Sequence, residues 1–144
     1  MALKFYPIGI LLFMAVLVSC HKDKVQPSTR SVFYWSTTLD MDSTKTAFIK
    51  KYMISRMYLR YFDVVNDEGG RAVPNATLRF ATGVPRGMEI VPTVFIMPEC
   101  LRQDREKLAG QIVRRVAQIN ETNDVLNVKE IQIDCDWSQS TRRL

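Results

Sequence analysis

The sequence predicts an α/β fold in which parallel strands alternate with helices. Three observations carry that prediction. Residues 32–38, 56–65 and 88–97 are largely apolar runs rich in β-branched and aromatic residues, and residues 128–136 form a fourth strand-like run in which apolar and polar residues alternate, a composition that fits strands of a covered sheet. Helical spacing of apolar residues follows the first and third runs, the pattern of a parallel sheet with helical crossovers. Finally, an acidic residue lies late in each run or just past it: Asp40, Asp63, Glu99, then Asp134 and Asp136. Parallel α/β architectures place their sites at those C-terminal strand ends.

Ahead of the first strand, Lys4 precedes an uncharged stretch, FYPIGILLFMAVLV, that ends at Ser19 and Cys20. This is the layout of a secretory signal. The stretch falls short of the roughly 20 apolar residues that a membrane span needs, and Pro7 and Gly9 interrupt it. Leu17-Val18-Ser19-Cys20 resembles the bacterial lipobox, which implies cleavage before Cys20 and lipidation of its thiol. Residues 1–19 are then a lipoprotein-type signal peptide, 20–31 a lipidated tether and 32–144 the folded domain. The protein is expected on a membrane surface, facing the periplasm or the cell exterior, with membrane lipid as its partner through Cys20.

Removal of residues 1–19 takes Lys4 with it, so the net charge falls from +5 to +4. The charges are interspersed, without the basic runs of a nucleic-acid surface, and no nucleic-acid partner is expected. His21, the one histidine, belongs to the tether. No metal site and no cofactor are predicted, because one histidine and distant cysteines do not make a ligand set and Gly69-Gly70 lacks the spacing of a phosphate loop. A bridge between Cys100 and Cys135 is left open, since both lie near strand ends.

The first strand, VFYWSTT, leads to Asp42 or Ser43 as the cap of a helix whose Ala47, Phe48, Tyr52 and Met53 share one face opposite Lys45, Lys50 and Lys51. The second strand, RMYLRYFDVV, is broken by the turn residues 66–70. Residues 71–87 are less regular, with a short strand at 77–81. Pro98 stops the third strand, and Pro92 inside it predicts a bulge or the strand's true start. Leu108, Ile112, Val116 and Ile119 make residues 104–120 the clearest helix. In the fourth strand Ile131, Ile133 and Cys135 alternate with Gln132, Asp134 and Asp136. The apolar set suits helix packing, and the polar set a cleft or barrel lumen. A further helix is expected to start near Ser138.

Asp134 and Asp136 lie roughly 6.6 Å apart along one face, close enough to share a proton. Equally, Asp136 caps the next helix, Asp134 pairs with a buried arginine such as Arg60, and Trp35 and Trp137 are core. Both readings stay open on the sequence alone.

Ile133-Asp134-Cys135-Asp136-Trp137-Ser138 resembles the end of the fourth barrel strand in chitinase-type glycoside hydrolases, whose Asp-x-Asp-x-Glu projects into the barrel. The four strands together are similar to the first half of a secreted lipoprotein family with a glycoside-hydrolase-like TIM barrel. The resemblance implies about half of a TIM (β/α)8 barrel, with a carbohydrate ligand. By that resemblance Asp134 and Asp136 are the lumen carboxylates that orient and polarise; with Glu99 at a strand end they are the candidate catalytic residues. Asp63, by its strand-end position, and Trp35 and Trp137, as a sugar-stacking platform, are the candidate substrate contacts. Ser138 stands where the family has its proton-donating Glu, so hydrolysis would need Glu99 or Asp136 as acid. A full barrel needs about 250 residues, so the chain reads as the N-terminal half of a longer parent, inactive alone and prone to self-association through an open barrel edge. The competing reading is a small non-catalytic α/β lipoprotein that serves as a binding module.

Overall fold

The computed structural model describes residues 29–102, 104–136, 138, 139 and 141. The signal, Cys20, His21, most of the tether and Trp137 lie outside the described residues, as does much of the helix expected from Ser138.

The elements are β1 Ser31–Tyr34, β2 Thr38–Leu39, α1 Ser43–Lys51, β3 Arg56–Asn66, β4 Ala72–Asn75, β5 Arg79–Phe80, β6 Glu89–Ile96, a 3-10 turn Pro98–Arg102, α2 Arg105–Thr122 and β7 Gln132–Asp134. β1, β3, β6 and β7 stand side by side in that order and all run parallel. β4 turns back antiparallel along β3, and β2 pairs β5 in a separate two-stranded sheet. The α/β class is therefore observed, with mostly parallel strands.

β3 is the spine because both of its edges are occupied. One edge ladders with β6 from Arg56 to Val64. The other takes β1 as far as Leu59 and β4 from Asp63 onward. The predicted turn at 66–70 feeds this hairpin: Arg71 N–H donates to Asp67 Oδ1 at 2.8 Å, and Gly70 takes a φ of +74°, which a residue without Cβ adopts at little cost. The β4 partner strand was not foreseen, because Ala72-Val73-Pro74-Asn75 has no strand-like pattern of its own and is held there by β3.

The core lies between the sheet and α2. Met57, Leu59, Phe62 and Val64 of β3 sit level with Ile90, Pro92, Val94 and Ile96 of β6. The predicted stripe Leu108, Ile112, Val116 and Ile119 covers this face, and each such side chain contributes about 1.5–3 kcal/mol by leaving water. Asp104 caps α2 by accepting from Lys107 N–H at 3.1 Å. Pro92 is neither a bulge nor a start. It is a buried mid-strand residue, tolerated because β7 pairs β6 only from Thr93 onward and leaves that flank of β6 open at Pro92.

Three sequence expectations need correction. The first strand ends at Tyr34, and the run to residue 38 divides into two elements joined by Trp35-Ser36-Thr37. The fourth ladders only over Gln132–Asp134 and not over 128–136. In α1 the face carrying Ala47, Phe48, Tyr52 and Met53 is exposed, while Ile49 and the preceding Met41 pack on the core. Alternating lysines on a short helix do not say which of two mixed faces is buried. No helix among the described residues is long and apolar enough to cross a membrane.

Truncating Leu59, which is fully buried, to alanine is expected to cost about 3 kcal/mol in urea unfolding, whereas Phe48→Ser shifts stability by no more than about 0.5 kcal/mol. The acid limb gives a second check. Asp42 and Asp67 are held below the ordinary carboxylate value of 3.8, Asp42 first by the Lys45 backbone N–H and Asp67 first by that of Arg71. Lowered carboxyls contribute stability that is complete above their unfolded pKa and is lost as pH falls through the folded one. Stability therefore declines below about pH 4, and Asp42→Asn combined with Asp67→Asn flattens that decline in an equilibrium-unfolding series across acid pH.

Candidate functional site

The face of the sheet away from α2 carries the candidate residues, and a bulge in β3 determines which ones. Strict alternation from Met57 and Leu59 would place Tyr61 and Asp63 on the α2 side. The ladder to β6 instead shifts register between Arg60 and Phe62, leaving Tyr61 without an opposite residue. Bulges re-aim the side chains that follow them. Tyr61 and Phe62 are both buried in the core; the Tyr61 hydroxyl donates to Asn120 Oδ1 of α2 at 2.7 Å, and its backbone oxygen accepts from Leu78 N–H at 2.7 Å. Burial pushes the Tyr61 phenol well above its ordinary range, so it stays a neutral donor. Asp63 is thereby turned to the opposite face.

There Asp63 meets Arg60 in a two-pronged ion pair. Arg60 Nε donates to Asp63 Oδ1 at 2.8 Å, and a second guanidinium nitrogen donates to Oδ2. Asp63 is 8% exposed, and a planar fork suits a carboxylate in such a place. The Asp63 hydrogen bond is the main cause that holds the Arg60 guanidinium above its usual range, and the charge of Asp134 adds to it. Across the strands Arg60 is level with Thr93 and Gln132, and Asp63 is level with Phe95 and Asp134. Two strand spacings, roughly 10 Å, thus separate Asp63 from Asp134 in backbone terms.

β1 contributes the aromatic part. Phe33 stacks on Tyr58 at 4.5 Å, Trp35 follows at 6.0 Å from Phe33, and the Arg60 guanidinium lies 5.7 Å from the Trp35 ring centre. Trp35 is 48% exposed, so the reading of Trp35 as core does not hold. Below this tier Arg56 binds Glu89 through two hydrogen bonds of 3.1 Å and Glu130 through one of 2.9 Å, closing the N-terminal end of the face with an ion-pair network.

One polar atom on this face lacks a partner. Thr93 is 1% exposed, and its hydroxyl has no hydrogen bond among the described residues. A buried hydroxyl in that state costs about 1–3 kcal/mol.

The remaining acids gather beyond the strand ends. Glu99 opens the turn after β6, and Asp136 lies two residues past β7; both are exposed. Burial first, then the charges of Asp136, Asp134 and Glu99, push the Cys135 thiol up. Asp134 and Asp63 share a tier with each other, whereas Glu99 and Asp136 form the rim. Arg60 pairs with Asp63, not with Asp134 as one sequence reading had it. Cys100 and Cys135 are both free thiols, and Cys100 donates to Asn66 Oδ1 at 3.3 Å. Among the described residues, no group of His, Cys, Asp and Glu is arranged to hold a metal ion. Thr93 and the Arg60–Asp63 pair were missed in the sequence: residues three apart in a strand face opposite ways unless a bulge intervenes.

Arg60→Met leaves Asp63 without its cation and is expected to cost about 2–3 kcal/mol. Combined with Asp63→Asn the loss is smaller than the sum of the two single changes, a coupling that a double-mutant cycle in urea measures.

No protein-family model matches the chain, and no curated protein or solved structure is similar enough to it to count as a match.

Proposed function

We propose that the chain is the carbohydrate-facing part of a lipid-anchored lipoprotein with a glycoside-hydrolase-like barrel, and that it binds sugar without cleaving it. The observation that carries this reading is the tier at the C-terminal half of the sheet: a half-exposed Trp35 ring, the locked Arg60–Asp63 pair, Gln132 and Asp134 on one face. An apolar ring face beside a few fixed polar groups suits a sugar, which offers C–H on one side and hydroxyls around its edge.

The strand order supports about half of a (β/α)8 barrel as the finer architecture. Consecutive parallel strands β1, β3, β6 and β7 are neighbours without a reversal, whereas a doubly wound sheet reverses at its switch point. Winding in one direction puts the crossovers on one side and leaves a mixed face on the other, where Phe33, Tyr58, Val91 and Phe95 stand beside Arg60, Asp63, Gln132 and Asp134, as on the inside of a barrel.

Binding is favoured over hydrolysis by the state of Asp63, Glu99 and Asp136, of which the first is ion-paired and the other two are on the exposed rim. Both Asp63 oxygens accept from Arg60, so that carboxylate orients and does not transfer protons. Ser138 occupies the donor position of the resembled motif, and Glu99 and Asp136 sit on the solvent-exposed rim. A glycosidase needs a general acid held against the leaving oxygen.

Calorimetry against a panel of soluble glycans, chito-oligosaccharides included, tests this. Trp35→Ala is expected to weaken binding at least about tenfold without moving the unfolding midpoint. A chain that binds no member of the panel, or a variant that binds as tightly as the parent, refutes the proposal. For the anchor, Cys20→Ser is expected to abolish incorporation of labelled palmitate in a bacterial host.

A further inference from the structure

We infer that the N-terminal end of the sheet is a docking surface for an anionic lipid bilayer, which holds the sugar-facing end pointed away from the membrane. The inference rests on the lipid anchor proposed above. It draws on a part of the molecule remote from the candidate site.

α1 descends from the C-terminal end of β1 to the N-terminal end of β3, and its last turn carries Lys50 and Lys51, both exposed. Next come Tyr52, 44% exposed, and Met53, 69% exposed. Met53 has a φ of +50°, a left-handed conformation in which glycine is the usual occupant at a helix end. A long apolar side chain is held outward there at a conformational cost that packing does not offset. Arg86, exposed, lines the same cavity as Lys50 and Met53. Cations flanking an aromatic ring and a flexible apolar chain suit the headgroup region, where the rings sit at the interface and lysines meet lipid phosphates.

The path of the chain selects the bilayer over other occupants. Arg30 donates to the Tyr52 carbonyl at 3.0 Å, so the chain enters the domain at this patch. Cys20 precedes Arg30 by ten residues, a tether that spans at most about 35 Å. Charge agrees: at this end Glu89 and Glu130 are held by Arg56, and exposed Lys50, Lys51 and Arg86 face outward, as an anionic surface requires.

Peroxide footprinting of the full acylated chain tests the orientation. Met53 and Met97, the latter 41% exposed beyond the far end of β6, are followed by mass spectrometry as they become sulfoxides. In vesicles of phosphatidylethanolamine and phosphatidylglycerol, Met53 is expected to oxidise about fivefold more slowly relative to Met97 than it does in detergent. Phosphatidylcholine vesicles, or Lys50→Glu with Lys51→Glu, remove the protection. An acylated chain whose Met53 oxidises as fast relative to Met97 on vesicles as in detergent overturns the docking surface and leaves the anchor standing. Protection in detergent that grows with protein concentration also overturns it, because a second copy then covers the patch. A chain that carries no acyl group overturns the anchor and this inference together.

Discussion

The unmatched Tyr61 in β3 is the constraint from which the rest of the molecule follows. By occupying a position with no counterpart in β6, it assigns two successive aromatic residues to the core and returns the strand to alternation in the opposite phase. Tyr61 reaches Asn120 near the end of α2, and Phe62 and Val64 meet the middle of that helix. A regular strand would bury Asp63 against Leu108 and Ile112, and an isolated carboxylate cannot be accommodated there. The same extra residue thus makes a tight core possible and supplies the polar face with its central ion pair.

Much of this was legible in the sequence. Long apolar runs with turn signals gave strands near the right places, because burial on both faces leaves a composition that few other environments do. The stripe of α2 and its Asp104 cap were readable for the same reason. Alternation in QIDCD separated Gln132 and Asp134 from Ile133, but the expected helix packing of the apolar set fails at Ile133, which is 51% exposed on the edge strand. α1 was misread because its two faces are similarly mixed and tertiary contact chose between them, and β4 because its strand character comes from its partner. The Arg60–Asp63 pair was invisible for a more basic reason: a register shift belongs to two strands, and no single segment encodes it.

The two ends of the sheet differ in chemistry as well as in position. At the N-terminal end Arg56 holds Glu89 and Glu130 together from three strand regions, which ties the ends of β3 and β6 to the segment before β7 and leaves the neighbouring cations of α1 uncompensated. At the other end Arg60 is fixed by Asp63, and the charges of Asp134, Asp136 and Glu99 lie on the same face and rim. A field of this kind orients the protein and its approaching ligands before any contact forms.

β4 has an effect that reaches beyond its four residues. Because it takes the flank of β3 that β1 gives up after Leu59, the backbone at Trp35 is released from the ladder, and the indole is seated against Phe33 and Arg60. Side-chain seating is softer than a hydrogen-bonded strand. The aromatic side of this face is therefore its compliant member and the ion-paired Arg60–Asp63 side its stiff one.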